Sequence, residues 1–184
     1  MHKGDRLGET IEQHETARSA HKESASVDVR SGSLLTDSLA GVDKLSFSEH
    51  VDARGRLVEF HNKSWGYWPE PVDHGCITTL RPGVTKGWGL HVRTRDRYVL
   101  VTGEIQVDLY DIREDSTTYC RSQRLILSAH GDRGVTIPAG IWHALKNIGD
   151  AEAYLLNFKT PGYDHDSPDK LRLDLTSPLL PSTD

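Results

Sequence analysis

The sequence has little cysteine, no long apolar run and no excess of positive charge. Its two cysteines, Cys76 and Cys120, are too few for a disulfide framework or a zinc knuckle, so a reducing cytoplasm is the simplest location. No apolar run approaches the ~20 residues that a membrane helix needs, and no signal-peptide core follows the N-terminus. The net charge of −5 argues against a surface that neutralises phosphates along a nucleic acid. We therefore expect neither a membrane partner nor a nucleic-acid partner.

A helical period is also missing, because no long segment repeats its apolar positions about every 3.6 residues. From Leu45 onward, short apolar runs alternate with polar residues and are separated by Gly and Pro, which is typical of half-buried strands. A succession of such strands predicts an all-β barrel or sandwich. Residues 1–40 are polar and bury too little apolar area to order themselves. We predict a polar N-terminal tail or arm over residues 1–40 and one β-barrel over residues 41–184.

The most specific local motif is Pro138-x-Gly140-x-x-His143-x-x-x-Asn147. A tight turn at the proline and the glycine would project His143 from the following strand. This motif resembles the second motif of the cupins, which are small double-stranded β-barrels. The first cupin motif should carry His-x-His, whereas this chain has His91-Val-Arg93. The resemblance implies a cupin-type jelly-roll barrel.

Three residues in these motifs remain as metal ligands, namely His91, His143 and Asp96, because a guanidinium such as that of Arg93 cannot coordinate a metal. Two histidines and one carboxylate can hold Fe(II). The Arg93 cation is expected beside this site, where it would oppose a divalent ion. We predict no metal and no other cofactor, and the ferrous alternative stays open.

A longer series of motifs runs through the folded part of the chain, over residues 45–176. In order, these motifs are Asp52-Ala-Arg54-Gly55-Arg-Leu-Val-Glu59, Gly89-Leu-His91, Gly103-Glu-Ile, Asp111-Ile-Arg113-Glu-Asp-Ser116, Ile137-Pro-x-Gly-x-x-His143, Lys159-Thr-x-x-Tyr163 and Leu171-Arg-x-Asp174. Their order and spacing resemble the dTDP-4-dehydrorhamnose 3,5-epimerase family, a metal-free branch of the cupins.

This second resemblance implies a homodimer, whose N-terminal strands cross between subunits, and a small-molecule substrate that is a nucleotide sugar. It also implies that a neutral histidine removes a proton α to the C4 ketone of a nucleotide-linked 4-keto-6-deoxyhexose. His91 matches the family's base, and His143 matches the histidine on the strand beside it. Arg54 and Glu59 match residues that contact the nucleotide half of the substrate. Such a base needs a pKa of about 7 and an apolar pocket.

The chain departs from the family at several catalytic positions. The family's catalytic tyrosine corresponds to Phe158, which cannot deliver a proton, and its active-site lysine falls on Asp96. The arginine that precedes the base corresponds to Trp88. In the family, the aspartate that pairs with the base lies well beyond the Arg-x-Asp motif, so we expect this partner to be missing here. These differences predict a single epimerisation or a keto–enol isomerisation, with His143 or water as the acid.

Trp88, Arg93, Phe158 and Tyr163 complete the predicted substrate pocket. Two alternatives stay open. The first is a repurposed cupin isomerase or cyclase that acts on a hydrophobic natural-product intermediate, in an aromatic cavity lined by Trp65, Tyr67, Trp68, Trp88, Trp142 and Phe158. The second is a cupin that binds a ligand without catalysis.

Overall fold

The computed structural model describes residues 38–183, which form an antiparallel β-structure with one short 3-10 turn at Lys63–Trp65. The strands are β1 Asp43–Leu45, β2 Glu49–Asp52, β3 Gly55–Val58, β4 His74–Leu80, β5 Thr85–His91, β6 Arg95–Thr102, β7 Glu104–Asp111, β8 Ser122–Ser128, β9 Gly134–Ile137, β10 Ile141–Asn147, β11 Ala153–Thr160 and β12 Lys170–Arg172. The all-β prediction is confirmed for this part of the chain. Within it, no helix is long and apolar enough to cross a membrane.

Ten of the strands form two five-stranded sheets. The first sheet has the order β1-β9-β6-β11-β4, and the second has the order β12-β5-β10-β7-β8. Strands β2 and β3 form a separate hairpin, whose turn lies at residues 53 and 54. Because β4 and β12 are the edge strands of the two sheets, the space between the sheets is accessible where these strands lie.

The core lies between the two sheets and follows the alternation of the strands. In β7, Ile105, Val107 and Leu109 are all buried against the opposite sheet, and Leu100 and Leu155 reach the same core from β6 and β11. Burying a side chain of this size contributes about 1.5–3 kcal/mol, and truncating one to alanine would cost about 2–5 kcal/mol. This core holds the strands that carry the site in a fixed register.

A second apolar cluster covers the outer face of the second sheet. Trp88, Leu90, Trp142 and Ala144 point away from the barrel interior, and side chains of the C-terminal segment, including Leu173, pack over them. The two tryptophans therefore do not line a central aromatic cavity. The reason is the alternation of side chains along each strand. Gly89 and His143 occupy inward positions, so their neighbours Trp88 and Trp142 point outward.

The predicted arm over residues 1–40 lies outside the described residues, apart from Ser38, Leu39 and Ala40. Leu39 is buried in the main core, and the backbone amide of Ala40 donates to Thr118. Arg113 donates to the Ala40 carbonyl and to the buried Asp111 carboxylate. These contacts fix the start of the barrel, and the arm itself stays a prediction.

Candidate active site

A cluster of buried polar side chains lies between the sheets. His91 ends β5, Asp96 lies near the start of β6, His143 lies in β10 and Lys159 lies in β11, and each is less than a tenth exposed. The turn before β10 depends on Gly140, which has a φ of +79°, and a Cβ at this position would lie 2.5 Å from Arg113 Cγ. Ionisable groups are costly to bury unless they are paired. Their concentration here marks a functional site.

His91 is held by a carboxylate that comes from a different part of the chain. Its Nδ1 lies 2.8 Å from Asp169 Oδ1, and Asp169 Oδ2 accepts the backbone amides of Arg93 and Thr94 at 3.0 and 2.9 Å. Burial opposes ionisation of Asp169, but these hydrogen bonds hold its pKa well below the usual range. The expectation that the base lacks an aspartate partner is therefore wrong. Asp169 lies just before β12 and therefore precedes the Leu171-Arg-x-Asp174 motif. In the family, the aspartate that pairs with the base follows this motif.

The other nitrogen of His91 faces a cation and a second carboxylate. Since Nδ1 donates its proton to Asp169, Nε2 is an acceptor, and Lys159 Nζ donates to it at 3.2 Å. Lys159 also lies 3.1 Å from Asp96 Oδ1, which accepts Asn157 Nδ2 at 2.9 Å. Burial lowers the pKa of His91, and the neighbouring Asp96 and Asp169 act in the opposite direction. The imidazole is therefore neutral and oriented at neutral pH.

Lys159 supplies the positive charge that the sequence analysis found missing. The family's active-site lysine corresponds to Asp96, and Lys159 is the residue directly opposite Asp96 in the β6–β11 register. The cation is therefore present on the neighbouring strand, directly across from the position of the family's lysine. The site thus retains an ammonium next to the histidine.

His143 has a different environment from His91. Its Nδ1 donates to the Ile141 carbonyl at 3.2 Å, and its Nε2 lies 3.4 Å from Asp96 Oδ2 without a hydrogen-bond partner in the described part of the chain. Burial lowers the pKa of His143 to about 4, although the nearby Asp96 carboxylate acts in the opposite direction. The two imidazole rings are nearly parallel, with centroids 6.0 Å apart. His143 is thus a neutral and weakly basic neighbour of His91.

His91, Asp96 and His143 each offer one ligand atom, and these atoms lie within 4.8 Å of one another. This spacing suits a metal ion, but Lys159 Nζ contacts both His91 Nε2 and Asp96 Oδ1. A divalent ion at this point would be repelled by the ammonium and would have to displace it. The residues as arranged therefore fit an ammonium and do not fit an additional metal. The opposing cation is Lys159, and not Arg93 as the sequence analysis expected, since Arg93 is exposed.

A cavity of about 430 Å³ opens beside this cluster. His143 and Tyr98 lie at its inner end, and Tyr98 is buried, with a pKa raised well above its ordinary value by burial and by the nearby Asp96. At neutral pH its hydroxyl is therefore protonated. The residues that line the cavity are Thr78, Thr85, Lys86, Gly87, Gly89, Tyr98, His143, Leu145, Lys170 and Arg172.

Of the sequence-predicted site residues, the structure brings only His91 and His143 together. Arg54 lies in the turn of the β2–β3 hairpin, where its guanidinium pairs with Asp52 and is 90% exposed, and Glu59 follows β3 at the surface. Neither residue lines the cavity.

The other predicted pocket residues lie on other faces of the molecule. Trp88 is in the outer apolar cluster, Arg93 is exposed, and Tyr163 lies at the surface against the His165 ring. Phe158 stacks on Phe60 with a ring separation of 5.6 Å, on the face of β11 opposite to Lys159. The physical reason is the alternation of β11, which turns residue 158 away from the interior that residues 157 and 159 face.

Four site residues were missed by sequence reasoning: Tyr98, Lys159, Asp169 and Lys170. Strand parity could have found Tyr98 and Lys159, because both lie an even number of positions from inward-facing residues of their strands. Lys170 lies on a strand of three residues, too short for its parity to be assigned. Asp169 lies in a loop, and no periodicity marks it.

Comparison with known proteins supports the fold and gives the family context. The family described as "Polysaccharide biosynthesis C-terminal domain" matches residues 50–171. A curated relative from Haloferax volcanii, named "Probable low-salt glycan biosynthesis epimerase Agl13", is 33% identical over 125 residues, which cover 67% of this chain and 80% of the relative.

Two solved structures have the same fold at low sequence identity. A dTDP sugar isomerase from Desulfovibrio desulfuricans matches with a TM-score of 0.73 and 20% identity, over 79% of this chain and 91% of the other. A dTDP-4-dehydrorhamnose 3,5-epimerase from Elizabethkingia anophelis matches with a TM-score of 0.63 and 17% identity, over 76% and 78% of the two chains. The predicted cupin-type jelly roll is confirmed, and so is the predicted likeness to a divergent dTDP-4-dehydrorhamnose 3,5-epimerase.

Proposed function

The chain belongs to the polysaccharide biosynthesis C-terminal domain family, and from this membership and its site we propose that it is a sugar epimerase. Its substrate would be a nucleotide-linked 4-keto-6-deoxyhexose, in which it inverts one carbon α to the ketone. The name of the Haloferax relative, an epimerase of glycan biosynthesis, supports the reaction class. The matching structures, a dTDP sugar isomerase and a dTDP-4-dehydrorhamnose 3,5-epimerase, support the substrate class.

The observation that carries the proposal is the Asp169–His91 pair inside the barrel. With Nδ1 bound to Asp169, the lone pair of His91 Nε2 points into the site and can accept a proton from carbon. The Asp169 carboxylate stabilises the imidazolium that forms, which is the role of the aspartate in histidine-based catalysis generally. His143 has no such carboxylate on its Nδ1, and its pKa of about 4 makes it the weaker base. We therefore assign proton abstraction to His91.

Lys159 is placed to stabilise the negative charge that develops on the ketone oxygen. Its ammonium lies 3.2 Å from His91 Nε2, where the α-hydrogen of the substrate must enter. In the complex with substrate, the Lys159 ammonium would turn from His91 Nε2 to the substrate oxygen. Asp96 would keep the hydrogen bond that it accepts from Asn157. A fixed cation of this kind in a buried site stabilises an enolate far more than it would in water.

Tyr98 supplies the proton for the second half of the reaction. It lines the cavity, and its raised pKa keeps the hydroxyl protonated at neutral pH. His91 Nε2 first takes the α-hydrogen of the substrate as a proton. The Tyr98 hydroxyl then gives its proton to the same carbon. Solvent then restores the two groups. One base and one separate acid suffice for a single inversion.

The six aromatic residues of the hydrophobic-substrate alternative do not line the cavity next to His143. The group formed by Phe60, His61, Trp68 and Phe158 lines a separate cavity of about 410 Å³, which includes neither histidine of the cluster. The cavity next to His143 carries three cationic side chains, a composition that suits an anionic substrate better than a hydrophobic one.

Hydrogen exchange tests the proposal directly. The protein is incubated in D₂O with dTDP- or UDP-4-keto-6-deoxyglucose, and deuterium at the carbons α to the ketone is measured by NMR. The wild type should incorporate deuterium, and His91→Asn should abolish incorporation, while His130→Asn, which changes an exposed histidine, should not. Exchange that persists in His91→Asn would remove the assigned base. No exchange with either nucleotide sugar would contradict the proposed function and favour a ligand-binding cupin.

A further inference from the structure

The C-terminal segment crosses the outer face of the second sheet, and we call its residues 173–183 the strap. Three leucines of the strap pack against the outer apolar cluster, namely Leu173, Leu175 and Leu180. At the far end of the strap, the buried Thr183 accepts a hydrogen bond on its carbonyl from Gln106 Nε2 at 2.9 Å. The strap is therefore held by apolar packing along its length and by a hydrogen bond at its end.

The strand before the strap, β12, has little to hold it in place. It is an edge strand of only three residues, it pairs with β5, and Leu171 in its middle is 52% exposed. So short an edge strand makes few hydrogen bonds and buries little area. Immediately after it, Leu173 and Trp88 exchange two backbone hydrogen bonds of 3.1 Å, where the strap begins. The position of β12 therefore depends on the strap.

The chain that the strap holds carries the partner of the base. Asp169 directly precedes β12 and contacts His91 Nδ1. The strap itself lies behind the histidines, on the opposite face of the same sheet. Leu90 and Trp142, which are part of the outer apolar cluster, directly precede His91 and His143 in the chain and point outward. One sheet thus has the two histidines on its inner face and the strap on its outer face.

We propose that the strap positions Asp169 against His91, with Leu173 and Leu180 as positioning residues that lie outside the cavity. While the strap is packed, β12 stays in register and the Asp169 carboxylate reaches the imidazole. When the strap lifts, β12 detaches and the base loses its partner. The main core stays intact, because it is a separate cluster. The link between strap and Asp169 stands on geometry alone, and its effect on turnover rests on the proposed function.

Amide hydrogen exchange of the full chain, without substrate, tests the link. Arg93 and Thr94 donate their backbone amides to Asp169 Oδ2 at 3.0 and 2.9 Å, so the exchange of these amides reports the position of the carboxylate. Leu180→Ser should accelerate it about tenfold or more, because it removes apolar packing under the strap. The amides of β7 in the main core should keep their protection. Leu179→Ser is the matched control and should change nothing, because Leu179 is 73% exposed.

Turnover of the keto sugar then tests what the link does. Asp169 should remain on His91 only in the fraction of molecules whose strap is packed. In the double variant Leu173→Ser/Leu180→Ser, we expect kcat to fall about 10²-fold, toward that of Asp169→Asn. Leu173→Met/Leu180→Met, which retains apolar side chains of similar volume, should restore kcat.

The outcomes separate this inference from the proposed function. Equal exchange of the Arg93 and Thr94 amides in Leu180→Ser and Leu179→Ser would overturn it. An equally large rise in β7 would also overturn it, because the loss of stability would then be general. A wild-type kcat in the double serine variant would reject the positioning role.

Faster exchange confined to the Arg93 and Thr94 amides, without turnover of either keto sugar by the wild type, would retain the strap and reject the epimerase. If Leu180→Ser does not fold, Leu180→Ala, which adds no hydroxyl group, is compared with Leu179→Ala by the same criteria.

Discussion

Asp169 Oδ1 lies 2.8 Å from His91 Nδ1, although the two residues are 78 positions apart in the chain. The contact is not a loose surface pairing, because the second carboxylate oxygen is fixed by two backbone amides of the loop that follows His91. Both the direction of the imidazole and its tautomer are therefore set by the junction between β5 and the segment before β12. This junction makes His91, and not His143, the better base.

Replacing Asp169 with Asn should lower turnover more than substrate affinity. The amide can present its oxygen or its NH₂ group to His91, so the tautomer is no longer enforced and the imidazolium loses a stabilising charge. We expect kcat to fall about 10²- to 10³-fold, within the usual range for general acid–base catalysis. Asp166→Asn, a change at a neighbouring exposed aspartate, is the control. A kcat within twofold of the wild type would show that the carboxylate is only structural.

Lys159→Met should reduce deuterium exchange and create a metal site. Without the ammonium, the lone pairs of His91 Nε2, His143 Nε2 and Asp96 converge on an empty position, which suits Co²⁺ or Zn²⁺. Titration with Co²⁺ should give visible absorption of a protein-bound ion in the variant and none at stoichiometric concentration in the wild type. Equal metal binding by both proteins would contradict the role of Lys159 as the resident cation.

Removing Lys159 also leaves Asp96 buried without its charged partner. Breaking a buried pair in this way costs about 3–5 kcal/mol, so thermal melting of each variant is measured alongside. Lys159→Gln retains a hydrogen-bond donor without the charge. If this variant folds normally, loss of exchange in it reports the missing charge and not a damaged barrel.

His143 should make the protein less stable as the pH falls. Its pKa is about 4 in the folded protein and 6.5 in the reference state, so the unfolded chain binds the proton more readily between these values. The stabilisation is complete above pH 6.5 and declines as the pH falls toward 4, by about 3 kcal/mol in total. His91 contributes in the same direction because its pKa is also lowered.

Urea unfolding at several pH values between 4.5 and 7.5 measures this dependence. His143→Gln should flatten the decline in unfolding free energy on the acid side, and His130→Gln, at an exposed position, should reproduce the wild-type slope. An unchanged slope in His143→Gln would show that His143 is not the buried neutral group that the structure describes.

Two reciprocal changes distinguish the tyrosine of this site from the tyrosine of the related family. Tyr98→Phe should allow exchange of the α-hydrogen with solvent but reduce formation of the inverted sugar, because the acid is lost and the base remains. Phe158→Tyr restores the family's residue, but its ring packs against Phe60 and Trp68 on the outer face. It should therefore leave the products unchanged. A gain of double inversion in Phe158→Tyr would refute this placement.

The sequence by itself was sufficient for the strand pattern and for the two histidines of the candidate site. Alternation and turn residues are local properties, and they report the strands without knowledge of how the strands pair. The turn at Pro138 and Gly140 likewise predicts that His143 projects from the strand that follows, and the structure places its ring beside that of His91.

Which side chains face the site was decided by the tertiary structure. A shift of one residue in register moves a side chain to the opposite face of a sheet, and this parity puts Lys159 inside and Phe158 outside. Only strand pairing brings Lys159 opposite Asp96, and only the path of the chain into β12 brings Asp169 to His91. Contacts between residues distant in sequence depend on packing of the whole barrel, and so a local motif could name the histidines but not their partners.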